Sequence, residues 1–594
     1  MSTAPKLPIA PVGIGHDVRV RTGGRVLGVA KADLLVILAL VLVVGAYTVW
    51  WVNLDVNSFT IQTHGDQALI QASAQVAMQT GPWATNGHVG WFSGFNPWSF
   101  PATSSLAFYG GAWFLGLFVS SSSNVLALLM GATAAAVAAA TYVAIRAAAP
   151  GSTSRLVAAL GGFTMGLSPY VLSKMGHFNV ASWYLIPVVI AAIAVLARSS
   201  LQGANRARML VMLSAVALGA LISPLWWSLV AVYVVVLGGL LAALLRQWTW
   251  LRATTMTAAA LLAGTAIPAF LAIVNRVPGG SWNRQPWDSV LFGGSIFDVV
   301  FASPWIDRIW PESIDVTPAL SRELSSVGLV AGLALAFALI ASLTAFVGFG
   351  DRWREHRWLF VATQVSLLAF LSMGLGPFQE AVLAIIGVES PLRVWSRLIV
   401  IVALFGMILA APVLSRWARK GVKGGLPGRI AVSVAALLVA GAAVADTAGI
   451  DLMTPRTIPD QPETEAVAYL ASDFGDCPVA QLPVGTFPDF PMFDGSEESI
   501  EYFYRGFVPY LLNPEGRWSF GAPAGTQTDQ LMRSLPSDVG SDSLALLASS
   551  GYCAVLFDTQ YSQWLQRRGG DWAAMRIPDA VPQWQNDRFA IYRL

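Results

Sequence analysis

The first polar segment of the chain carries the residues best suited to acid–base chemistry. The motif His-Gly-Asp-Gln, residues 64–67, opens a helix-like stretch that extends to Gln79, and Asp55 precedes it. A carboxylate can take the proton of an attacking hydroxyl group, and such general-base help is typically worth about 10²–10⁴-fold in rate. Asp66 is therefore the first candidate catalytic residue, with His64 and Asp55 in support. Its structural alternative is the cap of a helix N-terminus.

Metal, redox and nucleotide chemistry have less support. His64 and Asp66 could contribute two ligands to a divalent cation, but protein metal sites usually supply three or four. The sequence contains no HExxH, CxxC or Walker-type motif. These motifs are the usual marks of zinc, thiol-redox and ATP chemistry. The sequence therefore requires no cofactor and leaves a divalent metal open.

The rest of the first polar segment mixes aromatic rings with glycine and amide side chains over residues 81–101. Aromatic rings beside amide groups suit the faces and hydroxyl groups of a sugar. They equally suit the aromatic belt at a membrane–water interface, so both interpretations stay open. His88 lies in this stretch and is a candidate substrate-binding residue.

Cationic residues at the ends of apolar runs form a second set of candidates. Arg393 and Arg397 flank the start of one run, and the guanidinium fork of arginine matches phosphate oxygens. Lys174 ends a different run; its ammonium group could contact a phosphate or extend to the membrane interface. The candidate substrate-binding residues are His88, Lys174, His177, Asn179, Arg276, Arg284, Arg393 and Arg397.

The composition indicates what kind of scaffold must hold these residues. Hydrophobic residues make up 55% of the 594 residues and charged residues only 12%. That is about half the roughly 25% charge of a soluble protein, so soluble and disordered classes are excluded. The net charge of +2 gives no support for a nucleic-acid partner. The class is a polytopic α-helical membrane protein.

Eleven apolar runs are long enough to cross a bilayer, for which a helix needs about 20 residues. They lie near 33–52, 124–147, 157–173, 180–198, 208–222, 224–245, 253–274, 326–349, 357–374, 394–414 and 429–447. Lys and Arg cluster in every second connection, which puts those connections and the N-terminus in the cytoplasm. An odd number of spans then puts the C-terminus outside the plasma membrane.

This topology divides the chain into three parts. Residues 1–32 form a cytoplasmic segment, residues 33–447 a transmembrane domain, and residues 448–594 an extracytoplasmic soluble domain. Two long external loops, 53–123 and 275–325, belong to the transmembrane domain. The loops and the soluble domain therefore share the outer side.

Two further apolar stretches are interpreted as re-entrant or interfacial. A crossing at 104–121 would break the alternation of basic connections at Arg146. The stretch 375–393 is too short and too interrupted to span.

The soluble domain has the pattern of a small α/β fold. Strand-like and helix-like runs alternate along it, with strands near 477–484, 552–559 and 588–594 and helices near 463–474, 528–535 and 541–551. Cys477 and Cys553 each stand at the start of a predicted strand. Because the outer side is oxidising, we expect a disulfide between them, with two buried free thiols as the alternative.

The combined layout resembles the GT-C superfamily of membrane glycosyltransferases, and most of all its bacterial, actinobacterial-type members that use polyprenyl-phosphate sugars. The shared features are an external loop with an early acidic residue after the first span, a Gly-His-Phe-Asn element before Pro187, a Pro-Leu-Arg-Val-Trp-Ser-Arg element before a late span, and an external α/β domain. In that family the acidic residue of the first external loop acts as a general base or is associated with a metal ion. In this chain Asp66 matches that residue, with Asp55 as the second choice. The family often has a tighter acidic pair, whereas this chain has His-Gly-Asp.

The resemblance implies an inverting glycosyltransferase that faces the cell exterior. Its donor would be a polyprenyl-phosphate-linked sugar in the lipid membrane, and its acceptor a cell-envelope glycan, glycolipid or glycoprotein. Arg393, Arg397 and Lys174 would hold the lipid phosphate. Two alternatives stay open. A transporter or flippase of lipid-linked sugars would show inverted repeats and broken helices, and a non-catalytic envelope-assembly scaffold would need no catalytic carboxylate.

Overall fold

The computed structural model describes two bodies, a bundle of long apolar helices and a smaller domain built on a four-stranded sheet. The described residues are 25–26, 29–52, 65–99, 105–173, 178–199, 204–244, 246–275, 328–346, 395–448, 461–485, 487, 502, 504–568, 575–578 and 580–594. The chain is thus a polytopic helical membrane protein with a C-terminal α/β domain, as the sequence predicts.

The membrane domain consists of a short β-hairpin followed by helices. In chain order they are β1 Arg25–Val26, β2 Val29–Ala30, α1 Lys31–Val52, α2 Gly65–Thr80, α3 Leu106–Gly116, α4 Ser122–Ala148, α5 Arg155–Gly166, α6 Pro169–Ser173, α7 Phe178–Ala181, α8 Leu185–Leu196, α9 Ala204–Ile222, α10 Leu225–Leu244, α11 Trp248–Val274, α12 Leu329–Phe346, α13 Ile399–Lys423 and α14 Gly425–Ala448.

Eight helical segments in the described part are long and apolar enough to cross a membrane. They correspond to the predicted runs near 33–52, 124–147, 157–173, 180–198, 224–245, 253–274, 394–414 and 429–447. Helices α9 and α12 coincide with two more of the predicted runs. The run 357–374, the stretch 375–393 and loop residues 276–325 lie outside the described residues, so the count of eleven stays a prediction.

Helix α3 is too short to cross a bilayer. Its 11 residues rise about 16 Å, against about 30 Å for the hydrocarbon core. Phe108, Tyr109 and Ala112 are buried, whereas Trp113 and Phe114 are exposed. This is the two-sided pattern of a helix that lies along an apolar interface. It agrees with the interpretation of 104–121 as a segment that does not span.

At one end of the bundle, polar contacts join the start of α1 to the end of α4 and the start of α5. Asp33 accepts hydrogen bonds from the Tyr142 hydroxyl at 2.5 Å and from Arg155 Nε at 2.9 Å. Nearby, the backbone N–H of Ser154 donates to Ser415 Oγ of α13 at 2.8 Å. Four helices therefore bring the segments that the sequence predicts to be cytoplasmic to one end, called here the basic end.

Arginines at the basic end also bind helix carbonyl groups. Arg198 donates to Ala148 O at 2.8 Å and to Ala147 O, at the end of α4. Arg252 donates to Ser199 O at 2.9 Å, just beyond α8. The last carbonyl groups of a helix have no partner within the helix, so these guanidinium groups satisfy them.

The opposite end of the bundle is held by other polar contacts. The hydroxyl groups of Tyr47 in α1 and Thr447 in α14 lie 2.6 Å apart. Ser105, which caps α3, donates from Oγ to Ile222 O at the end of α9 at 2.8 Å. The ends of α1, α9 and α14 and the short helix α3 therefore meet here, and we call it the loop end.

The C-terminal domain alternates helices with strands. Its elements are α15 Gln461–Phe474, β3 Val479–Leu482, α16 Val508–Leu512, α17 Gln527–Arg533, α18 Ser541–Ser549, β4 Ala554–Asp558, α19 Thr559–Arg568, β5 Trp584–Gln585 and β6 Phe589–Arg593. The strand order is β3–β4–β6–β5, with β3 parallel to β4 and the other neighbours antiparallel. All six predicted elements of the domain lie where the sequence puts them.

Each strand of the sheet contributes to two cores, because successive side chains point to opposite faces. Val479, Ala554, Leu556, Phe589 and Ile591 face one core. Their neighbours Ala480, Leu482, Val555, Phe557, Ala590 and Tyr592 face the other. Both faces of the sheet are therefore covered by apolar side chains.

A disulfide joins the starts of the two parallel strands. Cys477 and Cys553 are the pair for which the sequence indicates a bond, and they are bonded in the structure with a Cα–Cα distance of 5.9 Å. This distance lies within the usual range of about 4.4–6.8 Å. The backbone N–H of Cys553 also donates to Pro478 O at 2.9 Å. The bond therefore fixes the register at which β3 and β4 begin.

Candidate functional site

Helix α2 is enclosed between the membrane domain and the C-terminal domain. One of its faces, formed by Ile70, Ala74 and Ala77, packs against α3, α4 and Phe178 of α7. The opposite face joins the core of the C-terminal domain through Ala68, Leu69, Ala72 and Val76. Most of these side chains are small, which lets the backbones of neighbouring elements approach closely. Helix α2 therefore fixes the position of the residues it carries relative to both domains.

The candidate base Asp66 lies at the start of this enclosed helix. Helix α2 begins at Gly65, two residues before the predicted start at Gln67. Asp66 is therefore the second residue of the helix and does not stand at the N-cap position. His64 and Asp55 lie outside the described residues, so their proximity to Asp66 stays a prediction.

Two glutamine side chains anchor α2 to the domains on either side. Gln71 Nε2 donates to Ser123 Oγ at 2.9 Å, at the start of α4. At the other end, Gln79 Oε1 accepts from Asn86 Nδ2 at 2.9 Å and from the Tyr510 hydroxyl at 2.7 Å. Burial raises the pKa of Tyr510, so its hydroxyl stays protonated and acts as the donor. These bonds prevent α2 from rotating about its axis.

The loop after α2 pairs with the C-terminal domain in the manner of a β-strand. Trp518 N donates to His88 O at 2.8 Å, and Trp91 N donates to Trp518 O at 2.9 Å. Gly90 has φ +64°, and a Cβ atom there would lie 2.7 Å from Ala522 N, so only glycine fits. The segment around Trp518 pairs in turn with Val479 of β3. Backbone pairing therefore runs from the first external loop into the four-stranded sheet.

The structure gives His88 a role in this docking contact. Its Nδ1 lies 3.0 Å from Glu515 O and 3.2 Å from Gly516 O. A carbonyl oxygen can only accept, so Nδ1 carries the proton and donates. The structure does not bring His88 together with the other described candidates, and its role in substrate binding stays a prediction.

The tryptophans of the same loop divide between two roles. Trp98 is buried and donates from Nε1 to Pro82 O at 2.7 Å. The ring of Trp83 stacks on it at 6.2 Å and is 58% exposed. Trp98 therefore supports the loop, whereas most of the Trp83 ring stays exposed.

Phe178 and Asn179, the last two residues of the Gly-His-Phe-Asn element, lie near α3 and α10. Phe178 packs on Phe108 at a ring distance of 4.8 Å, and Asn179 is buried beside it. Trp227 Nε1, at the start of α10, donates to Val180 O at 3.0 Å. Phe178 belongs to the same apolar cluster as α2. Lys174 and His177 are outside the described residues.

Arg397 contacts an aromatic pair, Trp226 and Trp227, at the start of α10. Its guanidinium group is 5.5 Å from the centre of the Trp226 ring, a cation–π distance. Trp226 contacts Trp227 edge-to-face at 4.5 Å. Arg397 belongs to a short 3₁₀ helix, Trp395–Leu398, that leads into α13. Arg276, Arg284 and Arg393 lie outside the described residues.

A series of contacts links α2, the α7 segment and Arg397. Phe178 packs in the same apolar cluster as α2, Trp227 donates to Val180 O, and Arg397 lies over the ring of Trp226. Sequence reasoning did not single out Gln79, Trp226 or Trp227. The Trp-Trp pair directly after Pro224, at the start of a predicted span, is the signal that could have found the last two.

The described fold resembles two solved membrane proteins. ArnT from Cupriavidus metallidurans, solved with bound undecaprenyl phosphate, is 14% identical, with a TM-score of 0.51 and an alignment that covers 95% of this chain and 98% of that chain. The oligosaccharyltransferase of Archaeoglobus fulgidus in the apo form is 11% identical, with a TM-score of 0.50 over 91% of this chain and 72% of that chain. No protein-family model and no curated protein matches the sequence.

At these identities the likeness shows the fold alone, and it extends over almost the whole chain. The chain therefore shares the fold of these two proteins, a helical membrane domain with a C-terminal domain.

Proposed function

We propose that the chain is an inverting glycosyltransferase that moves a sugar from a polyprenyl phosphate to a cell-envelope glycan, glycolipid or glycoprotein. The observation that carries the proposal is the enclosure of α2, the helix that begins with the candidate base, between the two domains of a GT-C fold. ArnT, which shares this fold, was solved with undecaprenyl phosphate. A lipid-linked donor also suits a chain whose candidate residues gather at one end of a helix bundle.

In the proposed reaction the acceptor hydroxyl attacks the anomeric carbon of the donor sugar. Its oxygen forms the new glycosidic bond while the bond from the anomeric carbon to the phosphate oxygen breaks. Asp66 takes the hydroxyl proton, with Asp55 as the second choice and His64 in support, and polyprenyl phosphate leaves with the electron pair. Attack from the face opposite the leaving group inverts the anomeric configuration.

The phosphate of the donor is proposed to bind at the cationic residues near the membrane interface. Arg393, Arg397 and Lys174 would stabilise the charge that develops on the leaving phosphate, which is most effective where water is excluded. The stacking of Arg397 on Trp226 supports this role, because it holds the guanidinium group in one plane. His88, His177, Asn179, Arg276 and Arg284 are proposed to contact the sugar or the acceptor.

We propose that the basic end is cytoplasmic and the loop end extracytoplasmic. The contacts at the basic end join α1, α4, α5 and α13, whose flanking segments are rich in Arg and Lys. Cytoplasmic connections carry such an excess in plasma-membrane proteins. Residues 1–32 would then be inside, and loops 53–123 and 275–325 and the domain 448–594 outside, where the disulfide is stable.

The direct test follows the release of polyprenyl phosphate, a product that does not depend on which sugar is moved. Purified protein in lipid nanodiscs would be incubated with lipid-linked sugars and an envelope fraction extracted from the same cells, and free polyprenyl phosphate measured by mass spectrometry. We expect release that requires both protein and acceptor. Movement of intact lipid-linked sugar across a vesicle membrane without release would indicate a flippase instead. Neither movement nor release would favour a scaffold.

A further inference from the structure

An apolar groove of about 610 Å³ lies between the end of α13 and the first half of α14. Trp417 of α13 lines one side, α14 contributes apolar residues from Leu426 to Leu438, and none of the lining residues is charged. Leu426 is 71% exposed and Leu438 is 68% exposed. The groove is therefore open to the surroundings of the bundle, where the hydrocarbon of the membrane lies.

Small residues shape this groove. At the turn that joins the two helices, a Cβ atom on Gly428 would collide with Gly421 O, so the two backbones are in contact there. Farther along α14, Ala431 and Ala435 line the groove with one methyl group each. Larger side chains at these two positions would occupy the groove, so its open space follows from the sequence of α14.

The length of the groove matches one leaflet of a bilayer. The helix rises about 18 Å from Leu426 to Leu438, at about 1.5 Å per residue. The hydrocarbon core of a bilayer is about 30 Å thick, so one leaflet contributes about 15 Å. Because the turn between α13 and α14 lies at the basic end, the groove extends from the membrane surface at that end to about the bilayer centre.

Cationic residues accompany the groove where it begins. Residues 413–438 contain five Arg and Lys residues and no Asp or Glu. Lys420 follows Trp417 by about one helical turn, and Lys423 is the last residue of α13, three positions before Leu426. Both lysines are exposed, and no hydrogen bond or ion pair with a described residue engages either ammonium group. Their charges are therefore available to a ligand at the membrane surface.

Positive charge alone does not distinguish a lipid site from a topology signal, since cytoplasmic connections of membrane proteins are generally rich in Lys and Arg. The groove is the second, independent observation. It places an apolar channel of one-leaflet length next to two lysines at headgroup depth. A phospholipid has the same arrangement, with its phosphate at the surface and its acyl chains directed to the bilayer centre. Basic pockets between membrane helices typically bind the headgroups of anionic lipids.

We infer that this groove binds one anionic phospholipid from the leaflet at the basic end. An acyl chain of the lipid lies along α14 from Leu426 to Leu438, and the lipid phosphate contacts the ammonium groups of Lys420 and Lys423. The site is at the end of α13 opposite to Arg397. It is therefore separate from the proposed donor site and does not depend on the proposed reaction.

The test measures lipid binding to the full chain in detergent micelles by native mass spectrometry. The probes are palmitoyl-oleoyl phosphatidylglycerol and the phosphatidylcholine with the same chains, and glycerol 1-phosphate supplies a phosphate without chains. We expect phosphatidylglycerol to bind at least about tenfold more tightly than phosphatidylcholine, because each basic residue near the headgroups favours anionic lipid. Glycerol 1-phosphate should not displace it. Lys420→Gln/Lys423→Gln should remove most of this preference, and Ala431→Phe, which fills the groove, should weaken the binding of both lipids.

Each test variant has a matched control on exposed residues outside the groove. Lys31→Gln/Arg206→Gln removes two cations near the starts of α1 and α9, and Ser433→Phe adds a ring to α14. Both should bind lipid as the unmodified chain does, and the unfolding temperature of each variant shows that it is folded.

Equal binding of the two lipids, an equal loss in test and control variants, or displacement by glycerol 1-phosphate would overturn the inference. So would a dimer of the chain that Ala431→Phe abolishes while lipid binding stays unchanged, because the groove would then hold a second copy.

Discussion

The hydroxyl of Tyr510 donates to the side-chain oxygen of Gln79 at 2.7 Å, across 431 residues of sequence. Tyr510 belongs to the C-terminal domain and Gln79 to the last turn of α2. The same oxygen accepts from Asn86, and Gln79 Nε2 donates to Pro514 O at 3.1 Å. One glutamine therefore connects the helix that carries the candidate base to the C-terminal domain.

Tyr510→Phe is expected to destabilise the contact between the two domains. The change removes one buried hydrogen bond and leaves the ring in place, at a cost of about 1–2 kcal/mol. Amide hydrogen exchange of residues 86–91 should become faster. The control is Tyr592→Phe, because the Tyr592 hydroxyl has no hydrogen bond among the described contacts. Equal exchange in the two variants would contradict the role given to Gln79 and Tyr510.

Asp66→Asn is expected to lower sugar transfer by at least about 10²-fold, because the amide keeps the size of the side chain but cannot take a proton. Donor binding and the unfolding temperature should stay near those of the unmodified chain. Release of polyprenyl phosphate measures the rate. If the Asn variant transfers sugar at a comparable rate, Asp66 is a structural residue of the first turn of α2, and Asp55→Asn becomes the next variant to test.

Arg397→Ala is expected to weaken the binding of undecaprenyl phosphate more than it lowers the unfolding temperature. Charge-assisted hydrogen bonds to phosphate are roughly twice as strong as neutral ones. Arg397→Lys should recover only part of the affinity, since lysine keeps the charge but lacks the planar group that stacks on Trp226. The control is Arg416→Ala, an exposed arginine near the other end of α13. Equal affinities for the Arg397 and Arg416 variants would count against the phosphate site.

Cysteine labelling of intact cells is expected to separate the two ends of the bundle. A cysteine in place of Ser541, on the exposed start of α18, should react with a membrane-impermeant maleimide. A cysteine in place of Lys420, at the basic end, should react only after permeabilisation. The two native cysteines are bonded to each other and give little background. Reaction at position 420 in intact cells would reverse the proposed orientation.

The sequence by itself determined the elements whose signals are local. Apolar runs of about 20 residues identify spans such as 33–52 and 429–447, because hydrocarbon excludes polar side chains over a fixed thickness. Short continuous apolar runs identify strands such as Phe589–Arg593, because a sheet covered on both faces buries every side chain of the run. The positions of the two cysteines at strand starts were likewise readable. The Arg and Lys pattern grouped the start of α1 with the α4–α5 connection, which polar contacts join at the basic end.

Only the tertiary structure decided how distant segments meet. Nothing local marks Gly90 and Trp91 as partners of Trp518 and Phe520, since backbone groups of any sequence can pair in this way. The burial of the second face of α2 follows from the docking of the C-terminal domain, whose Tyr510 is 431 residues from Gln79 in the chain. The sequence thus named Asp66 and Arg397 from the chemistry of their side chains, whereas the packing of α2 and the contact of Arg397 with Trp226 depend on segments that are remote in the chain.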